Sequence, residues 1–273
     1  MNLGLYLEQS FAQHALIAGA LVAVICGLIG PFVVMRRMAF AVHGTSELAF
    51  TGAAGGLLVA GNAVAGALIG AVVVAGLLTA LGAEERDRDS TIGVVLAFGL
   101  GAGVFMLSKY DGFATAATNI LFGDIFGVSN GQLWLLLVIG LVVAAVMVSI
   151  RRPLLFASVD AEVAAARGVP VRALGAVFML VLALTVTEAA QIVGTLLVLS
   201  LAISPAAAAQ RLTASPVAVT WLSIGFALLA TEGGILASLA SDTVKPSVFI
   251  TAISFAIYLT ARLASARRSV AYG

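Results

Sequence analysis

The amino-acid sequence predicts an all-α polytopic membrane protein of eight or nine transmembrane helices, forming one domain over residues 1–273. Three observations carry that expectation. Hydrophobic residues make up 62% of the chain and charged residues only 10%, against roughly 25% charged in soluble domains. Stretches free of Asp, Glu, Lys and Arg recur along its length, several of them near the 20 or so residues that cross the hydrocarbon as helix. The basic residues, finally, segregate to one side when the stretches are threaded back and forth.

Taken in order, the first span is 9–35, closed by Arg36-Arg37. The uncharged stretch 48–83 is long enough for two helices, broken at Gly61-Asn62; counting 43–60 as the second span gives nine in all. A span at 90–108 follows, then 112–127 as a short segment that does not cross, then 125–150. The later spans are 173–187, 189–210, 212–231 and 246–261. Ser204-Pro205 interrupts the helix at 189–210, so a broken or re-entrant helix is expected there. An eight-helix count fits almost as well. With nine spans, 12 of the 14 basic residues lie in the cytoplasm and only Lys109 and Lys245 outside. This asymmetry implies the N-terminus outside and the C-terminus inside a plasma membrane. Gly52/Gly56, Gly66/Gly70 and Gly99/Gly103 are small-xxx-small pairs that permit close helix contact. The first ten residues carry Glu8 and no basic run, unlike a cleaved signal peptide. The single Cys26 excludes a disulfide framework within the chain.

Chemistry is concentrated in few places. His43 and Glu47 stand four residues apart, so a helix puts them on one face, where imidazole and carboxylate can converge on a divalent cation. The alternative is a hydrogen-bonded structural pair at a helix start, with Thr45 and Ser46 as local caps. Ionisable groups in membrane spans cost about 2.5–3.5 kcal/mol on insertion scales and mark transport pathways, which favours the first reading. One chain offers two such donors; a two-fold dimer offers four, enough for a tetrahedral shell.

The longest hydrophilic loop, SVDAEVAAARGVPV at 158–171, is helical by its alanines. It is either a docking surface for a soluble partner or an ordinary connecting helix. Asp124, Glu188, Glu232 and Asp242 are weaker candidates for a gate or outer mouth. Solvated loop ends compete for the last three, and an N-cap of the next span competes for Asp124. His14, alone near the end of a span, is read as structural. No Gly-x-x-x-x-Gly-Lys-Ser/Thr occurs, so the chain has no P-loop for ATP, and no His-Glu-x-x-His occurs either. Net charge is +1, which gives no bias toward nucleic acid.

Five segments in order are similar to one family. They are RRMAFAVHGTSELAFTGAAGG (36–56), DSTIGVVLAFGLGAGVFMLS (89–108), ILFGDIFGVS (120–129), IVGTLLVLSLAISPAAAA (192–209) and GGILASLASDTVKPSVFIT (233–251). Together they resemble the transmembrane permease subunit of metal-type ABC importers, those for zinc, manganese and related ions. The resemblance implies a homodimeric channel, or a closely related pair, driven by two cytoplasmic ATPase subunits and fed by an extracytoplasmic metal-binding protein. It implies a cytoplasmic coupling helix at about 156–170, with Asp160, Glu162, Ala165 and Gly168 entering a groove of the ATPase. The family's Asp and His of the metal path fall on His43 and Glu47, with the two donors in reverse order.

The reading that results is an ATP-driven importer subunit, not itself an enzyme, that holds no permanent cofactor and passes a divalent transition metal. Imidazole favours zinc, with manganese next because of the carboxylate. A secondary transporter driven by an ion gradient is the alternative, although its expected paired helix breaks are not visible: 204–205 has no counterpart in the first half. A non-transporting assembly subunit would leave His43 and Glu47 replaceable.

Overall fold

The computed structural model describes residues 9–81, 88–110, 123–241 and 244–271. Helix dominates because a chain this apolar must satisfy its backbone hydrogen bonds within each segment. In chain order the helices are α1 (Ser10–Met35), α2 (Ala39–Ala60), α3 (Ala63–Leu81), α4 (Arg88–Leu107), α5 (Asn130–Val159), α6 (Ala161–Ala166), α7 (Val171–Val193), α8 (Thr195–Leu212), α9 (Pro216–Ala240) and α10 (Pro246–Ala271). A 3₁₀ turn at Ile125–Gly127 precedes α5.

All but α6 match the nine expected spans one for one. Seven of them (α1, α3, α4, α5, α7, α9 and α10) are long and apolar enough to cross a membrane. The other two differ for physical reasons. Helix α2 carries His43, Thr45, Ser46, Glu47 and Thr51, and α8 contributes only a short apolar stretch, Leu197–Leu212.

Helices α1 and α7 form the centre. Helix α1 packs against α5, α7, α8 and α9, while α7 also touches α2, α3 and α5. Helix α2 lies between α3 and α4 and reaches α7 and α8. Helix α10 covers α8 and α9. The expected break at Gly61-Asn62 is present: Gly61 takes φ 65°, a left-handed conformation that suits glycine, and ends α2. The Asn62 side chain then accepts from the Ala65 N–H at 3.0 Å and opens α3.

Close packing of the hairpin follows from its glycines. A methyl group on Gly52 would lie 2.7 Å from the Gly66 carbonyl oxygen and 3.1 Å from Gly70 Cα. Gly99 and Gly103 instead face α2, where the Thr51 hydroxyl donates to the Gly99 carbonyl at 2.7 Å.

Three boundaries differ from expectation. The break near Ser204-Pro205 is absent, and α8 runs through Pro205. The interruption lies instead at Gly194, φ 92°, between α7 and α8. Packed membrane helices tolerate the bond a proline removes, whereas this backbone conformation favours glycine. Glu188 does not end a span: α7 continues through it to Val193, and the residue is 4% exposed. Glu232 likewise sits within α9, half-buried against α1 near Gly19. In each case the acid is turned toward neighbouring helices, and Glu188 also accepts from Gln191 at 3.4 Å.

Candidate functional site

Helix α2 begins four residues before His43, so both candidate donors lie in its second and third turns. His43 is half-buried, its ring 6.1 Å from that of Phe40. Glu47 is 8% exposed. The hydroxyls expected as caps are used otherwise. Thr45 donates to the carbonyls of Ala41 (2.8 Å) and Val42 (3.0 Å), and Ser46 donates to that of His43 (2.8 Å). Among the described residues no hydrogen bond joins His43 to Glu47, so the capped structural pair is not what forms. Nor do three or more His, Cys, Asp or Glu side chains gather anywhere among the described residues.

The turn carrying Asp124 stands beside the α7–α8 interruption. Gly123, φ 70°, lies against the backbone of Ile192 to Gly194. Asp124 caps the 3₁₀ turn, accepting from the Gly127 N–H at 3.1 Å, rather than the following span. Helix α5 is capped by Ser129, which forms a capping box with Gln132. Asp124 lines two cavities, of about 230 Å³ and 220 Å³. The first adds Gln132, Gln191 and Thr195 as polar walls and Ala49 and Ala53 of α2 as an apolar one. The second adds Lys245 and Ser247. Gln191 in turn donates to Glu188 at 3.4 Å. Residues scattered between 49 and 250 meet here, which no local spacing reveals. His14 has its Nδ1 3.3 Å from the Val128 carbonyl, a contact between α1 and this turn.

At another part of the bundle, α5 passes into α6 through Asp160, whose carboxylate accepts from the Val163 N–H at 2.9 Å. Glu162 and Ala165 are exposed, while Ala164 is fully buried. Gly168, φ 81°, turns the chain toward Pro170 and α7. The structure thus brings His43 to Glu47 on one helix and Asp160, Glu162, Ala165 and Gly168 into one short connection. It does not bring Asp124, Glu188 and Glu232 together as one cluster, and Asp242 lies outside the described residues.

A helical bundle with seven apolar spans and a polar small-residue helix packed inside it has the architecture of a multi-pass membrane permease. The chain belongs to the ABC 3 transport family, whose profile matches residues 8–265. It is 31% identical to the manganese transport system membrane protein MntC of Halalkalibacterium halodurans, over 91% of this chain and 85% of that one. It is 27% identical to the high-affinity zinc uptake system membrane protein ZnuB of Haemophilus influenzae, over 86% of this chain and 91% of that one. Among solved structures, PsaBC from Streptococcus pneumoniae in complex with Fab superposes with a TM-score of 0.83 at 25% identity, covering 93% of this chain and 91% of that one.

Proposed function

We propose that the chain is the membrane-spanning subunit of an ATP-driven importer of a divalent transition metal. The observation that carries this reading is Glu47, a carboxylate 8% exposed on a helix of the bundle and four residues from an imidazole. A buried carboxylate in a membrane protein is costly unless a cation or a partner answers it. In a two-fold dimer, His43 and Glu47 of both copies supply four donors, which hold the ion briefly between the outer and inner openings. Asp124, between two cavities, suits the outer mouth.

The exposed face of α6, with Glu162 and Ala165, suits the ATPase, and the opposite side of the membrane suits a metal-binding protein. In this reading the N-terminus lies outside and the C-terminus inside. Family membership supports ATP as the energy source over an ion gradient. The lean toward zinc finds less support: the manganese-named relative is 31% identical and the zinc-named one 27%. Both ions accept an imidazole and a carboxylate.

The test is uptake of manganese and of zinc by cells lacking their own importers and carrying this chain with its ATPase and binding protein. His43→Ala and Glu47→Ala are each expected to cut uptake of one metal by about 10- to 100-fold at matched membrane levels. Uptake of both metals at the wild-type rate in both variants would sink the assignment of the pair.

A further inference from the structure

The turn joining α1 to α2 is held in an unusual way. Among the described residues, Arg37 is the one non-glycine residue with positive φ, 53°. A residue with a side chain persists there only where its surroundings hold it. The Arg37 side chain is exposed and does not do so. The turn is fastened by backbone bonds, Met38 N–H to the Val33 carbonyl at 2.9 Å and Arg37 N–H to that of Val34 at 3.2 Å, and by the buried Met38. It is also fastened by Arg36, whose guanidinium carbon lies 5.7 Å from the centre of the Phe178 ring in α7.

Phe178 is fully buried and its ring lies 6.1 Å from that of Phe32 of α1. One turn earlier on α7, a Cβ placed on Gly175 would stand 3.8 Å from an Arg36 nitrogen. Arg36 therefore lies along the first two turns of α7. Only residues 167–170 separate α7 from α6, and within them the Val169 N–H donates back to the Ala164 carbonyl at 3.0 Å, closing α6. Arg36 bridges the start of α7 to the turn that launches α2.

We propose that Arg36 is a positioning residue of the transport cycle. Its guanidinium, seated on Phe178, passes a displacement of α7, which the short 167–170 connection ties to α6, into the Arg36–Met38 turn and so moves α2, with His43 and Glu47 on it. Arginine suits the role because a planar guanidinium stacks on an aromatic face, whereas a lysine ammonium is a point charge on a flexible stem. The proposal rests on the reading of α6 as the ATPase contact.

The experiment is metal uptake and ATP hydrolysis measured together in proteoliposomes holding the full complex with its ATPase and binding protein. Arg36→Ala and Phe178→Leu are each expected to lower the ions moved per ATP by about tenfold while hydrolysis continues, with Arg36→Lys intermediate. The double variant should lose less than the product of the two single losses, since the two side chains share a contact. An unchanged ratio in Arg36→Lys and Phe178→Leu overturns the proposal, as do losses that multiply in the double variant. Ala165→Arg tests the docking reading separately. If that variant still binds the ATPase normally, the reading of α6 fails, whatever Arg36 does.

Discussion

Helices α2 and α5 belong to one bundle and obey opposite rules. From Leu133 to Val148, α5 has no polar side chain, yet only 22% of its most apolar window is buried, against 67% for α1. It buries a single stripe, Leu136, Gly140, Val143 and Met147, and leaves Trp134, Leu141 and Val148 to the surroundings. Helix α2 carries His43, Thr45, Ser46, Glu47 and Thr51 and buries Ala41, Val42 and every residue from Gly44 to Phe50. In lipid, apolarity says only that a side chain meets no cost there. A polar helix rich in small residues must be enclosed by protein, and what it encloses is available for chemistry.

The largest effect should come from opening that enclosure. Gly52→Leu would drive a side chain into the backbone of α3, where a Cβ alone comes within 2.7 Å of the Gly66 carbonyl oxygen. Overpacking a core costs about 1–3 kcal/mol when side chains can yield; here backbone must move, so loss of the folded permease is expected. Size-exclusion chromatography of the detergent-solubilised protein would show it as aggregation or absence. A monodisperse Gly52→Leu protein would mean that α2 and α3 are not in close contact.

The contrast between the two helices can be broken next by moving the carboxylate. Leu141 is 63% exposed near the middle of α5. Leu141→Asp should cost about 2.5–3.5 kcal/mol of insertion free energy, because no protein covers that face as it covers Glu47. A glycosylation reporter fused beyond α5 would record the failure to insert. Normal insertion would place Leu141 in a covered interface instead of lipid.

Much of this architecture was legible in the sequence, and the parts that were not share a cause. The glycine pairs and the Gly61-Asn62 break are local signals, and each appears as read. The one-face relation of His43 and Glu47 follows from helix geometry alone. Charges used as span boundaries misled at Glu188 and Glu232, because an acid can lie inside a helix when it faces other helices of the bundle, and those helices are remote in sequence. Pro205 misled likewise: proline announces a break by composition, while Gly194 makes one by conformation. The meeting of Arg36 with Phe178, and of Asp124 with Gln191 and Thr195, depends on how α7 is placed and has no local trace.

The smallest expected effect separates polar contact from close packing as the force holding α2 against α4. Thr51→Val keeps the shape of the side chain and removes the hydroxyl that donates to the Gly99 carbonyl at 2.7 Å. That carbonyl belongs to α4, whose own helical bonding continues to serve it, so no acceptor is stranded by the change. Interhelical hydrogen bonds in membrane proteins average about 0.6 kcal/mol, and Thr51→Val should lower stability by about that much, with uptake unchanged. Equilibrium unfolding in detergent would measure it. A loss several times larger would mean that the hydroxyl, rather than the approach of Gly99 and Gly103 to Leu48, Phe50 and Thr51, holds the two helices together.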